Sequence, residues 1–208
     1  MLNYHEQLEK IIEEHSASGQ KPKLLLHCCC APCASYCLEL LSGKFEITCF
    51  FYNPNITDRA EYDHRLQELK NYILRAKCEV LEVIDGGFCC GGFYRLAEGR
   101  EHLPEGGARC FDCYKLRLDK TAEVAESGGY DYFATTLTVS PHKNAAKLNE
   151  LGFEAEKGRN IKYLPSDFKK KGGYKRSVEL SNAYGLYRQN FCGCEFSRAA
   201  AKSREENR

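Results

Sequence analysis

Apolar residues along the chain fall in short continuous runs separated by longer segments of helical period. Leu24, Leu25 and Leu26 form a run of the kind found in a strand buried on both faces. FEITCFFY at 45–52 is rich in strand-forming residues and stops at Asn53-Pro54-Asn55, whose turn chemistry closes a second strand. EVLEVI at 79–84 and DYFATTL at 131–137 read as a third and a fourth. Between them the pattern predicts an amphipathic charged helix over 1–15 and a helix from Ala31-Pro32 to about 42, with proline at the first helical position. A long helix capped by Thr57 or Asp58 runs through 77, another covers 114–127, and one more ends near Leu151-Gly152. Alternating strands and helices imply a parallel sheet in an α/β fold. Residues 85–110 are dense in glycine and are expected to fold over a site rather than add a sheet layer.

Ligands of such sheets bind at the carboxyl ends of the strands. Three of those ends carry the informative side chains: HCCCAPC at 27–33, the Asn53-Pro54-Asn55 turn, and TVSPHKN at 138–144. Cys28, Cys29 and Cys30 fall where strand turns into helix, and a helix amino terminus favours thiolates. Adjacent side chains on an extended segment point in opposite directions, so the triplet cannot all face one core. Cys33 shares a helical face with Cys37 and lies beside the triplet, so Cys33 reads as functional and Cys37, like Cys49, as core. Ser140 suits a helix cap, whereas His142 suits a ligand, a proton donor or a solvated loop residue.

The chain has 208 residues, 43% of them hydrophobic, enough for one α/β domain over 1–208 with additions. Thirteen cysteines, an odd number clustered as CCC, CC, CxxC and CxC, suit metal or redox sites better than a secreted disulfide scaffold. With no signal sequence and no membrane-length apolar run, a reduced, cytoplasmic protein is expected. Cys110-Phe111-Asp112-Cys113 opens a helix with its thiols three apart on one face, which leaves zinc, iron–sulfur and dithiol chemistry open. Cys89-Cys90 on the glycine-rich loop fits a ligand pair, a labile redox pair or neither. The α-carbons of Cys192 and Cys194 stand roughly 5.5–7 Å apart, at the upper edge for a disulfide. A bond strained in that way shuttles two electrons more readily than it staples a fold, and metal ligation is the second reading.

Net charge is only +1, so any nucleic-acid contact must come from a local patch. Lys169, Lys170, Lys171, Lys175 and Arg176 put five basic residues within eight positions. Tyr184 and Tyr187 follow, and basic residues interleaved with aromatic ones suit a phosphate backbone with unstacked bases. A solvated charge run beside a packed tyrosine-rich helix has the same appearance.

HCCCAPC at 27–33, EGGARCFDCYKLRL at 105–118, ATTLTVSPHKN at 134–144 and DFKKKGGYKRSVELSNAYGLYRQNFCGCEFS at 167–197 together resemble the cobalamin-independent epoxyqueuosine reductases of the QueH type. The resemblance covers about 23–197. It implies a Rossmann-like (HUP-like) parallel sheet with helices on both faces, and a helical C-terminal extension over 161–208 that carries the basic segment and CxC. The implied reaction reduces epoxyqueuosine to queuosine at the wobble position of tRNA anticodons, the last step of queuosine biosynthesis. The implied cofactor is a 4Fe-4S cluster on Cys29, Cys30, Cys110 and Cys113, with Cys192 and Cys194 as a redox-active disulfide-forming pair. Implied partners are tRNA carrying epoxyqueuosine and an external electron donor, with no membrane.

Epoxide removal as water takes two electrons and two protons, which the CxC dithiol can hold. An additional mononuclear metal ion on Cys33 with Asp112 or Asp167 would serve instead as Lewis acid on the epoxide oxygen. His142 or Lys143 would protonate that oxygen. Two other classes compete. A zinc-stapled RNA-binding module explains the cysteines without catalysis. An ATP-pyrophosphatase-like tRNA thiolation enzyme shares the strand-turn layout but needs a glycine-rich phosphate loop where this chain has His-Cys-Cys-Cys-Ala-Pro.

Overall fold

The computed structural model describes residues 3–206. The first two positions of the expected amino-terminal helix and the last two of the expected C-terminal extension lie outside the described residues. Five strands, β1 (Lys23–His27), β2 (Glu46–Phe51), β3 (Val80–Asp85), β4 (Tyr132–Thr135) and β5 (Lys162–Tyr163), form one all-parallel sheet in the order β3-β2-β1-β4-β5. That order reverses direction between β1 and β4, so a crevice opens at their carboxyl ends, as in Rossmann-type sheets. Leu25 pairs in register with Thr48 on one side and Phe133 on the other, so the LLL run is the centre of the sheet.

Eight α-helices flank the sheet among the described residues: α1 (Tyr4–Ala17), α2 (Ala31–Leu41), α3 (Arg59–Ala76), α4 (Gly91–Ala97), α5 (Ala108–Ser127), α6 (Ala145–Glu156), α7 (Gly173–Ala183) and α8 (Glu195–Glu206). Leu24, Leu26, Ile47, Cys49 and Phe51 pack on one face with residues of α1, α2 and α3, while Leu25, Phe50 and Phe133 pack on the other with α5 and α6. Both faces of the central strands are thus buried, which is why their sequences run apolar without alternation. No helix among the described residues is long and apolar enough to cross a membrane.

Four local differences from the sequence reading have physical causes. The fourth strand stops at Thr135, because the Thr135 hydroxyl accepts the Leu137 N–H at 3.2 Å and turns 136–139 into a 3-10 turn. Asn144, not Ser140, caps α6 by accepting from the Lys147 N–H at 3.0 Å. That helix runs through Gly152 to Glu156, since the glycine is there for closeness: a Cβ would lie 2.4 Å from the Tyr163 ring. The tyrosine belongs to β5, a two-residue edge strand too short to show a period. Elsewhere Asp58 caps α3, accepting from the Glu61 N–H at 3.2 Å, and the glycine-rich stretch folds as α4 against α5.

Candidate functional site: a cysteine-lined crevice

The triplet divides between the two faces of the sheet. Cys28 packs with Cys37 and Cys49 in the α2–α3 core, and burial holds its thiol well above the ordinary value. Cys29 and Cys30 turn the other way, into the core shared with α5. Their sulfurs are 3.7 Å apart, and with Cys33 from the first turn of α2 they form a triad whose Sγ atoms all lie within 4.8 Å of one another. Three thiols that close are coupled, and Cys30 is held low because Cys29 and Cys33 donate to it, while Cys33 is pushed up. Such a donor set can hold a metal ion. Behind it, His27 is fully buried between the Thr135 hydroxyl (2.9 Å) and the Tyr52 carbonyl (3.0 Å), and desolvation lowers its pKa to about 4. It therefore stays neutral and fixes the strand ends.

Cys110 and Cys113 open α5 on the opposite wall. They line one narrow cavity together with Cys192, Cys194, Asn55 and Arg117. Burial raises the Cys113 thiol to about 11. Cys110 also packs into the same core cluster as Cys29, Cys30 and Cys33, so the two walls face one interior.

Cys192-Gly193-Cys194 is strapped across the mouth. Gly193 has φ +123, and a Cβ there would come 2.8 Å from Ile56, so the middle residue must be glycine. Arg65, 1% exposed, donates to the Cys192 carbonyl (3.2 Å) and is held by Glu61 at 2.6 Å. Asn55 donates to that carbonyl at 3.4 Å, and Thr57 N–H donates to the Gly193 carbonyl at 3.4 Å. Cys194 sits immediately before α8, where the Ser197 N–H donates to its sulfur at 3.4 Å; burial still pushes its thiol up. Lys143 Nζ lies 3.2 Å from Cys192 Sγ; desolvation works against its ammonium, but Cys192, Tyr114 and Cys29 together hold it above the ordinary value. The pair is thus asymmetric: an ammonium at one sulfur and a buried thiol at the other. Both are free thiols here, so the disulfide expected between them is not shown.

Other expected residues lie elsewhere. His142 is exposed beside the crevice, its backbone N–H donating to Ser140 Oγ. Asp112 points off the cysteine face into an exposed ion pair with Arg100, and Asp167 pairs with Lys169 at 2.9 Å. Lys171 is tied to Glu9 at 2.6 Å, and Arg176 to Glu39 and Glu179 at 2.8 and 3.2 Å, whereas Lys170 and Lys175 are exposed. Tyr184 packs edge-on against Tyr72 with ring centroids 5.2 Å apart. Tyr187 is 36% exposed and stands beside His64 and Glu61, next to the network that holds Cys192. Cys89 is exposed, and the Cys90 thiol donates to the Ile56 carbonyl at 3.3 Å.

The family model for epoxyqueuosine reductase QueH matches residues 24–200, a span that contains every cysteine of the crevice. The chain belongs to the epoxyqueuosine reductase QueH family. A relative of that name from Staphylococcus epidermidis is 41% identical over 201 residues, covering 94% of this chain and 84% of its own. One from Streptococcus pyogenes is 39% identical over 199 residues (94% and 78%), and one from Thermotoga maritima 35% identical over 180 (84% and 89%). Within this QueH chain, sequence reasoning placed the Asn53-Pro54-Asn55 turn at the crevice but missed Arg65 and Arg117 as parts of the site. Arg117 follows Cys110 by seven positions and Cys113 by four, a face-sharing spacing that was visible in CFDCYKLR. Arg65 is one of several charged residues of an amphipathic helix and gave no such signal.

Proposed function

We infer that this epoxyqueuosine reductase acts on epoxyqueuosine in tRNA, the final step of queuosine formation, and uses Cys192 and Cys194 as its two-electron store. The observation that carries the reading is Lys143 Nζ, half-buried and 3.2 Å from Cys192 Sγ, with Cys194 held as a thiol on the next α-carbon but one. Oxidation of the dithiol to a disulfide releases two electrons and two protons. Removing an epoxide oxygen as water, with an alkene left behind, consumes the same number. Lys143 stabilises the Cys192 thiolate and holds a proton at Nζ for the departing oxygen. An external electron donor returns the disulfide to the dithiol.

The donor set of the crevice fits an iron–sulfur centre: Cys29 and Cys30 from one wall and, from the other, Cys110 and Cys113, which line a cavity with buried Arg117 and its unpartnered nitrogens. When bound there, a 4Fe-4S cluster supplies single electrons at a potential tuned by its surroundings. Cys33 remains as the ligand for an additional mononuclear ion that would act as Lewis acid. Asp112 and Asp167, each engaged in an ion pair, are the less suitable carboxylates for it. Arg65 and Asn55 hold the Cys192 carbonyl and orient the pair. For the tRNA, Lys169, Lys170, Lys171, Lys175 and Arg176 supply phosphate contacts and Tyr187 a stacking face beside Cys192.

Cys192→Ser and Cys194→Ser test the assignment. Each is expected to keep its iron and sulfide and to lose turnover with a chemical reductant. Loss of iron in either variant would move the pair from electron store to ligand.

A further inference from the structure

Three arginines are buried around the crevice, and two of them leave no buried nitrogen without a partner. Arg65 is met by Glu61 and by the carbonyls of Phe191 and Cys192. Arg109 donates to the carbonyls of Arg100 and Glu101 at 2.7 and 2.8 Å. Arg117, 1% exposed, donates from Nε to the Cys113 carbonyl at 3.2 Å, but neither Nη1 nor Nη2 has a hydrogen-bond partner. Among the described residues no carboxylate pairs with it. A guanidinium does not shed its charge, and a buried charge without an anion is among the most costly features a fold can carry. The unpartnered nitrogens belong to a side chain that lines the cavity with Cys110, Cys113, Cys192 and Cys194. The cavity's other charged residues are Glu105, which is exposed, and Arg109, which is of the same sign. The groups of this cavity that can meet Arg117 with negative charge are therefore sulfurs: the thiolates themselves, and the sulfide of whatever centre they hold.

We propose that Arg117 is the internal counter-cation of the iron–sulfur centre, donating from Nη1 and Nη2 to its sulfur and raising its reduction potential. This rests on the cluster reading given above. It makes Arg117 a positioning and tuning residue, carried on the same face of α5 as the two cysteines it serves. A donor aimed at sulfur stabilises the reduced, more negative state more than the oxidised one, so its removal makes reduction harder.

The test uses full-length protein purified and reconstituted anaerobically, with Arg117→Met and Arg117→Lys beside wild type. Iron and sulfide are measured first, then the midpoint potential by redox titration. Arg117→Met is expected to be about tenfold less reduced than wild type at a fixed potential, a shift of about 59 mV downward for a one-electron couple. Arg117→Lys, which keeps the charge, recovers most of that shift. Equal iron content with an unchanged potential in Arg117→Met overturns the proposal; if its KM for tRNA rises instead, the guanidinium serves the substrate. Should Arg117→Met fail to hold the centre, denaturation of the metal-free full chains decides. The proposal expects metal-free Arg117→Met to be at least as stable as metal-free wild type, since the unmet charge is gone. A less stable variant makes Arg117 a structural residue and overturns it. Wild-type protein that takes up no iron would refute the cluster reading itself.

Discussion

Replacing Lys143 with methionine removes the ammonium that lies 3.2 Å from Cys192 Sγ while keeping a long apolar side chain. At that separation the bare attraction between unit charges is about 5 kcal/mol at an effective dielectric near 20. Desolvation of both groups offsets much of it, and a hydrogen bond to a charged group nets about 1.5–3 kcal/mol. That corresponds to a roughly ten- to hundredfold weaker hold on negative charge at the Cys192 sulfur. A thiolate freed from the ammonium is also more nucleophilic, which returns about half of the loss on a logarithmic scale. Alkylation of Cys192 by iodoacetamide at pH 7, followed by peptide mass spectrometry, should therefore slow about three- to tenfold in Lys143→Met. Lys143→Arg keeps the charge and should fall between the two. Turnover should drop at least as far as alkylation, because the proton at Nζ is lost as well. An alkylation rate equal to wild type would refute the claim that Lys143 activates Cys192.

Replacing Lys169, Lys170 and Lys171 together with alanine should weaken tRNA binding and flatten its salt dependence by about one unit of log–log slope for each phosphate left without its lysine. It should also raise KM more than it lowers kcat, and an unchanged slope would leave these lysines as solvated surface. Tyr187→Ala should cost about 1–3 kcal/mol of tRNA affinity at unchanged slope, since its exposed ring stands beside the Cys192 network. Gly152→Ala forces a methyl to 2.4 Å from the Tyr163 ring, so its denaturation midpoint should fall by an amount equivalent to about 1–3 kcal/mol.

The location of the site could be read from a few residues. A continuous LLL run must be a strand buried on both faces, and a proline two residues past the cysteine triplet must start a helix, so the thiols had to sit at a strand's carboxyl end. Alternation along extended chain sets Cys28 opposite Cys29, as observed, but would return Cys30 to the side of Cys28; Cys30 instead turns with Cys29 because the strand has ended at His27 and the chain is entering α2 at Ala31. Propensity misled where a side chain competed with the ladder: DYFATTL reads as strand through Leu137, yet the Thr135 hydroxyl ends it. Gly152 was read as a stop because a helix interior disfavours glycine, while its purpose, contact with a ring from β5, exists only once the fold has formed. The same is true of Arg65 and Asn55, whose roles depend on carbonyls more than 120 residues away in the chain. Asp112 shares a motif with Cys110 and Cys113 but not their helical face, which is why it meets Arg100 instead of the thiols.

The central claim is that thiolates from the two walls of the crevice hold an iron–sulfur centre, and iron and acid-labile sulfide in anaerobically purified protein test it most directly. The account predicts a brown protein with about four irons and four sulfides per chain and broad visible absorption, most of which disappears in Cys110→Ser. A colourless protein that holds zinc and no sulfide, or a Cys110→Ser variant with its full complement of iron, would contradict it.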